Sequence, residues 1–229
     1  MIIFCYGCSF TGGVYEGSEL KESWPYRLSL MLPNSKVYNF GKQATSVLYS
    51  LNMIEQSTKH LKPDLILTQL TEPTRITFYD HNYSLNLDRD TIQLSNNYYS
   101  LKESINDKIY PVNAFSGKKQ SKEIMEDSFR LERFKTYEKL VSMLDDINHF
   151  DPEYRAFYHR AVQLSNFVFF HRKLYREVPL LENVPCVEKE LGTDNFLKFV
   201  VDKGFHFGKP GSEWIANWLY QKLHLNTTD

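Results

Sequence analysis

The chain has 229 residues, the length of one domain of ordinary size with room for a substantial core. Its 27 lysines and arginines stand against 28 aspartates and glutamates, so no broad field draws it to nucleic acid or anionic lipid. No apolar run approaches the roughly 18 residues of a membrane span, and no basic segment followed by a long apolar stretch opens the chain. A soluble, cytoplasmic protein without signal peptide or transmembrane segment is expected. Three cysteines, Cys5, Cys8 and Cys186, cannot all pair within one chain. Cys5 and Cys8 read C-Y-G-C, yet Cys5 lies inside an apolar run and no second pair completes a zinc site, so reduced thiols, no metal and no cofactor are expected. Fifteen tyrosines exceed what a small core usually demands. They point either to half-buried packing or to a groove for a polar, ring-shaped ligand or another subunit.

In chain order, the first part alternates strand-like and helix-like segments at the rhythm of βαβ units, which predicts an α/β fold with a parallel sheet. Ile2 to Tyr6 is the first strand, Glu22 to Leu32 the first helix, and Lys36 to Phe40 the second strand, closed by Gly41. A helix over about Ser46 to His60 places Val47, Leu48, Leu51 and Ile54 on its inner stripe, and Asp64 to Leu70 is the third strand. From Phe78 to about Gly117 the period is lost in polar, tyrosine-rich sequence. An insertion at about 78–120 is expected there, beside the active face, within a single domain spanning 1–229. Helical patterning returns from Ser121 to Leu144 and from Pro152 to Arg176, the second carrying His159 and His171 as ordinary packed or solvated histidines. Val184 to Val187 reads as another strand and Phe196 to Val201 as a further apolar run. Ser212 is placed as the cap of a last helix reaching Leu223, with Ile215, Trp218 and Leu219 facing inward.

Two places carry chemistry. The first strand ends abruptly in Gly7-Cys8-Ser9-Phe10-Thr11, a glycine-flanked serine where open α/β sheets hold their reactive groups. At the other end, Asp202-Lys203-Gly204-Phe205-His206 supplies an acid and an imidazole. A serine hydroxyl is a poor nucleophile until a histidine, itself oriented by a carboxylate, takes its proton. Ser9 and His206 meet only if both lie at one edge of the sheet, which the strand assignment allows. Taken alone, Ser9 is equally well a turn or a helix N-cap.

Three blocks in order resemble the GDSL, or SGNH, hydrolase superfamily across nearly the whole chain. Gly7-Cys8-Ser9-Phe10-Thr11 matches that family's G-D-S-L/F-T with cysteine in the aspartate position. Tyr38-Asn39-Phe40-Gly41 matches its asparagine and glycine after the second strand, and Asp202 to His206, followed by Gly211-Ser212-Glu213-Trp214, matches its D-x-x-H and the helix beyond. The resemblance implies a three-layer α/β/α, flavodoxin-like fold with a central parallel sheet. It makes Ser9 the nucleophile, His206 the base and acid, and Asp202 its orienting partner, with oxyanion donors from the N–H groups of Ser9 and Gly41.

Two departures stand out. After the third strand, Gln69-Leu70-Thr71-Glu72-Pro73-Thr74-Arg75 contains no asparagine where the family has its third oxyanion donor. Losing one such donor costs on the order of a hundredfold or more unless another group replaces it. Thr71, Thr74 and Arg75 are the candidates, and Arg75, with Asn39 and Thr74, is also a candidate substrate-binding residue, Arg75 being equally readable as a surface ion pair. The acid stands four residues before the histidine instead of three. Either a bulge containing Gly204 absorbs the difference, or Asp194 serves, or Ser9 and His206 act as a dyad.

The expected activity is hydrolysis of carboxylic esters, short acyl groups such as acetyl on a small molecule or glycan. The carbohydrate part rests on family habit and the tyrosines. A binding module that keeps the fold without the activity is the alternative, supported by the missing asparagine. A phosphate-cradling loop at Gly7 to Gly13 is the third reading, and it leaves Asp202 and His206 unexplained.

Overall fold

The apolar N-terminal run lies at the centre of the molecule. The computed structural model describes residues 1–13, 22–71, 75–79, 83–113, 152–172, 181, 183–202 and 205–225. The elements run β1 (Ile2–Tyr6), α1 (Ser9–Gly12), α2 (Trp24–Met31), β2 (Lys36–Asn39), α3 (Val47–His60), β3 (Leu65–Leu70) and β4 (Arg75–Tyr79). There follow α4 (Leu87–Asp90), β5 (Thr91–Ser95), β6 (Tyr98–Leu101), β7 (Ile109–Asn113), α5 (Pro152–Leu164), β8 (Phe167–Phe170), α6 (Val187–Leu191), α7 (Thr193–Phe199) and α8 (Lys209–Leu225). Six strands form one sheet in the order β5-β6-β2-β1-β3-β8, parallel except for the β5–β6 hairpin, and β4 and β7 form a separate antiparallel pair.

Because successive residues of a strand face opposite sides, β1 feeds two cores. Ile3 and Cys5 pack with Trp24 and Leu28 of α2 and with Ile215, Trp218 and Leu219 of α8. Phe4 and Tyr6 pack with Phe40 and with Tyr49, Met53 and Ile54 of α3. Helices therefore cover both faces, giving the three-layer α/β/α arrangement. The helix between β1 and β2 lies on one face and the helix between β2 and β3 on the other. The sheet thus changes winding direction at the C-terminal end of β1, where open α/β sheets leave their crevice. Ser9 stands at that point.

The helix starts are chemically specified. Ser23 Oγ accepts from the Tyr26 N–H at 3.4 Å with Pro25 just inside α2, and Ser46 Oγ accepts from the Tyr49 N–H at 3.3 Å. Ser212 is not a cap: α8 begins at Lys209, and the Ser212 N–H donates to the Gly208 carbonyl at 3.1 Å inside the first turn.

Three other expectations change. The helix expected over Pro152 to Arg176 ends at Leu164, and Phe167–Phe170 is a strand paired in parallel with β3. Its aromatic and β-branched residues suit a strand buried by neighbours, and a run this short fits either period. Val184 to Val187 is no strand; Cys186 makes a single bridge to Phe170 and α6 starts at Val187. The apolar run Phe196 to Val201 is the end of α7 followed by a bridge from Val200 to Phe207.

Part of the expected insertion belongs to the sheet: β6 lies parallel to β2, with Tyr98 fully buried. The helix expected over Ser121 to Leu144 lies outside the described residues. Among the described residues four tyrosines are fully buried, and each hydroxyl is bonded internally: Tyr6 to Ser57, Tyr49 to the Phe40 carbonyl, Tyr98 to Ser23 and Asn39, and Tyr158 to the Thr71 carbonyl. For these four, the tyrosine excess serves the core and not a ligand groove.

Candidate active site

Gly7 turns the chain out of β1. Its φ of 153° and the space around it demand glycine, since a Cβ there would lie 2.3 Å from Thr11 Oγ1. Cys8 then caps α1, its carbonyl accepting the Thr11 and Gly12 N–H groups at 3.0 and 2.8 Å. Ser9 and Phe10, as the first two residues of α1, have N–H groups with no acceptor within the helix. Beneath this turn lies a buried polar chain that the sequence did not announce. Trp24 Nε1 donates to Thr11 Oγ1, and Thr11 Oγ1 donates to Gln69 Oε1 at 3.0 Å, which the Cys8 thiol also approaches at 3.5 Å. All three cysteines are buried, and burial pushes the Cys5 thiol well up.

The two ends of the chain meet here. His206 Nε2 lies 2.7 Å from Ser9 Oγ, and His206 Nδ1 lies 2.7 Å from Asp202 Oδ2. Asp202 Oδ1 also accepts the His206 N–H at 3.1 Å, so the carboxylate holds both ring and backbone of the same residue. With Nδ1 donating to the carboxylate, Nε2 presents its lone pair to the serine hydroxyl. Ser9 is buried at 3% exposure, while the His206 and Asp202 side chains are 13% and 33% exposed. Asp194 is exposed in the first turn of α7, and Asp202 occupies the place at Nδ1 that a dyad would leave empty. The four-residue spacing is accommodated by a positive φ of 61° at Phe205, while Gly204 lies outside the described residues.

The expected oxyanion and binding residues fare differently. Asn39 is buried and occupied: its Nδ2 donates to the Thr11 carbonyl at 2.9 Å and to Tyr98 Oη at 2.8 Å, and its Oδ1 accepts the Gly41 N–H at 2.9 Å. It ties β2 to the serine turn. The same bond engages the Gly41 N–H, expected as an oxyanion donor, with an internal acceptor. Thr71 is fully buried, and its Oγ1 has no partner among the described residues. Thr74 and the Arg75 side chain lie outside the described residues.

His171, expected as a packed or solvated histidine, is packed beside the serine. His171 follows β8, is 1% exposed, and stacks its ring on Phe10 at 3.9 Å between centroids. Ser9, Phe10, His171, His206, Phe207 and Ser212 line a recess of about 10 Å³, room for roughly one water. Burial pushes the His171 pKa down to about 3, with the nearby His206 and Arg172 acting in the same direction and the bond to the Phe205 carbonyl opposing. A histidine whose folded value lies below its unfolded one binds fewer protons when folded. Its stability contribution is therefore intact above about pH 6.5 and lost as pH falls toward 3. Between pH 8 and pH 5 about 2 kcal/mol of folding stability is expected to disappear through His171. Urea denaturation at the two pH values checks this: His171→Gln should show a correspondingly smaller acid loss, and an unchanged loss would refute the assignment.

No protein-family model and no curated protein sequence matches the chain. Solved structures do. A member of the lipolytic protein G-D-S-L family from Veillonella parvula aligns over 100% of this chain and 99% of its own, at 13% identity and a TM-score of 0.48. A carbohydrate acetylesterase family member from Sinorhizobium meliloti is 24% identical over 31% of this chain, with a TM-score of 0.27, and TesA is 17% identical over 31%, with a TM-score of 0.29. The alignments span 40% of that acetylesterase family member and 41% of TesA.

Proposed function

We propose that this chain is a serine hydrolase that cleaves carboxylic esters of short acyl groups through a covalent acyl-enzyme. The observation that carries the reading is the unbroken series Asp202–His206–Ser9, with both links at 2.7 Å. Ser9 Oγ attacks the ester carbonyl as its proton passes to His206 Nε2. The imidazolium, stabilised by Asp202, then protonates the departing alkoxide, and water deacylates Ser9 by the same route in reverse. The Ser9 N–H is one donor for the oxyanion, and the Thr71 hydroxyl takes the part of the missing asparagine. The acyl group is assigned as a short one, acetyl. The alcohol is assigned as a carbohydrate or other polar small molecule.

A second reading, a weakly active or inactive binding module, is favoured by one observation: the Gly41 N–H is engaged by Asn39. A fluorophosphonate probe separates the two. Stoichiometric modification mapped to Ser9, and abolished in His206→Ala, is the expected result. A protein that stays unlabelled, or labels at another residue, is a binding module.

A further inference from the structure

We infer that His171 is a positioning residue for the reaction, holding the residue after the serine and the residue before the histidine in mutual register through its ring face and its Nε2–H. This rests on the hydrolase reading above. The ring face lies against Phe10, next to Ser9, with centroids 3.9 Å apart and planes 21° from parallel. Nε2 lies 3.3 Å from the Phe205 carbonyl, next to His206. A carbonyl oxygen only accepts, so Nε2 carries the proton and Nδ1 is bare; Nδ1 is buried without a partner among the described residues, as that tautomer requires.

Phe205 needs holding. It is a non-glycine residue in the left-handed region, a conformation that persists only where its surroundings impose it. The turn's own bonds run from the Phe205 N–H to the Asp202 carbonyl at 3.1 Å and from the Val201 N–H to the His206 carbonyl at 2.9 Å. From the two residues that follow β8 come His171 on the Phe205 carbonyl and Arg172, whose Cζ lies 3.7 Å from the Phe205 ring centroid. Phe196 and Phe207 close on the other faces of the His171 ring, 5.1 and 4.5 Å away between centroids, which fixes its orientation. The sheet edge thereby sets the height at which His206 meets Ser9, and a displacement near 1 Å there costs about a hundredfold in rate.

The test compares His171→Phe, which keeps an aromatic ring on Phe10 but removes the donor, with His171→Gln, which restores an N–H donor. On 4-nitrophenyl acetate, His171→Phe should lose ~10- to 100-fold in kcat with KM within about twofold, and His171→Gln should recover most of it. Unchanged kcat in His171→Phe, or equal losses in both variants, overturns the inference. Should His171→Phe fail to fold, nitrogen-15 NMR of the wild type decides: an Nε2-protonated neutral His171 supports it, and an Nδ1-protonated ring overturns it. A wild type that neither hydrolyses the ester nor labels at Ser9 defeats the hydrolase reading itself. An active wild type with an equally active His171→Phe defeats only the role of His171.

Discussion

Ser9→Ala is expected to lower hydrolysis of 4-nitrophenyl acetate by at least about 10⁴-fold while leaving the protein folded. The rate effect is large because the serine is the atom acylated; what remains is the far smaller catalysis that binding and oxyanion donors supply alone. The stability effect is small because among the described residues the lost hydroxyl bonds only His206 Nε2, and His206 keeps its Asp202 partner on the other side. A loss of about 1 kcal/mol is the scale for one such hydrogen bond. Initial rates and a thermal melt, recorded on the same preparations, check both halves. Equal rates in mutant and wild type would mean that the ester is cleaved elsewhere and that the Ser9–His206 contact is structural.

Gly41→Ala should act in the opposite way, on the scaffold first. A Cβ on Gly41 would stand 2.4 Å from the Gly12 nitrogen and 2.7 Å from the Thr11 carbonyl carbon, both backbone atoms of the helix that begins at Ser9. No side-chain rotation relieves such a contact, so either β2 or α1 must move. Movement also breaks the Asn39 bridge, which joins the Gly41 N–H to the Thr11 carbonyl and Tyr98. A destabilisation of about 3 kcal/mol is expected from overpacking with a strained buried network. The folded fraction should also lose about a hundredfold in activity as Ser9 shifts from His206. Chemical denaturation and active-site titration separate the two effects. A variant as stable and as active as wild type would show that the end of β2 and the serine turn are not tightly abutted.

These two glycine and serine positions differ in how they were legible. Ser9 was visible because a β-strand followed by a glycine-flanked serine is a local pattern, and local patterns survive in one dimension. Gly41 was also visible, but not the bond its N–H makes. Its N–H was read as an oxyanion donor, whereas Asn39, two residues earlier, folds back to accept it. Nothing in the order Asn39-Phe40-Gly41 tells whether that N–H points inward or toward a substrate. The same limit governed Phe167–Phe170, whose spacing suited a helical stripe until pairing with β3 satisfied its backbone as a strand. His171, at the end of that run, was invisible as a site residue because its neighbours Phe10 and Phe205 come from distant parts of the chain.

The αβ alternation, the strand that ends at Gly7 and the serine after it are set by the chain itself, because they follow from hydrophobic period and turn chemistry, whereas the choice of Asp202 over Asp194 as the partner of His206 needed the fold. Tertiary structure alone decided what Ser9 faces. Its bond to His206 joins residues 197 apart in the chain, and such a contact exists only once the parallel sheet has brought both turns to one edge. It also decided which hydrogen-bonding groups the fold itself takes up. Here the fold holds Asn39 and the Gly41 N–H and leaves the Thr71 hydroxyl without a partner among the described residues.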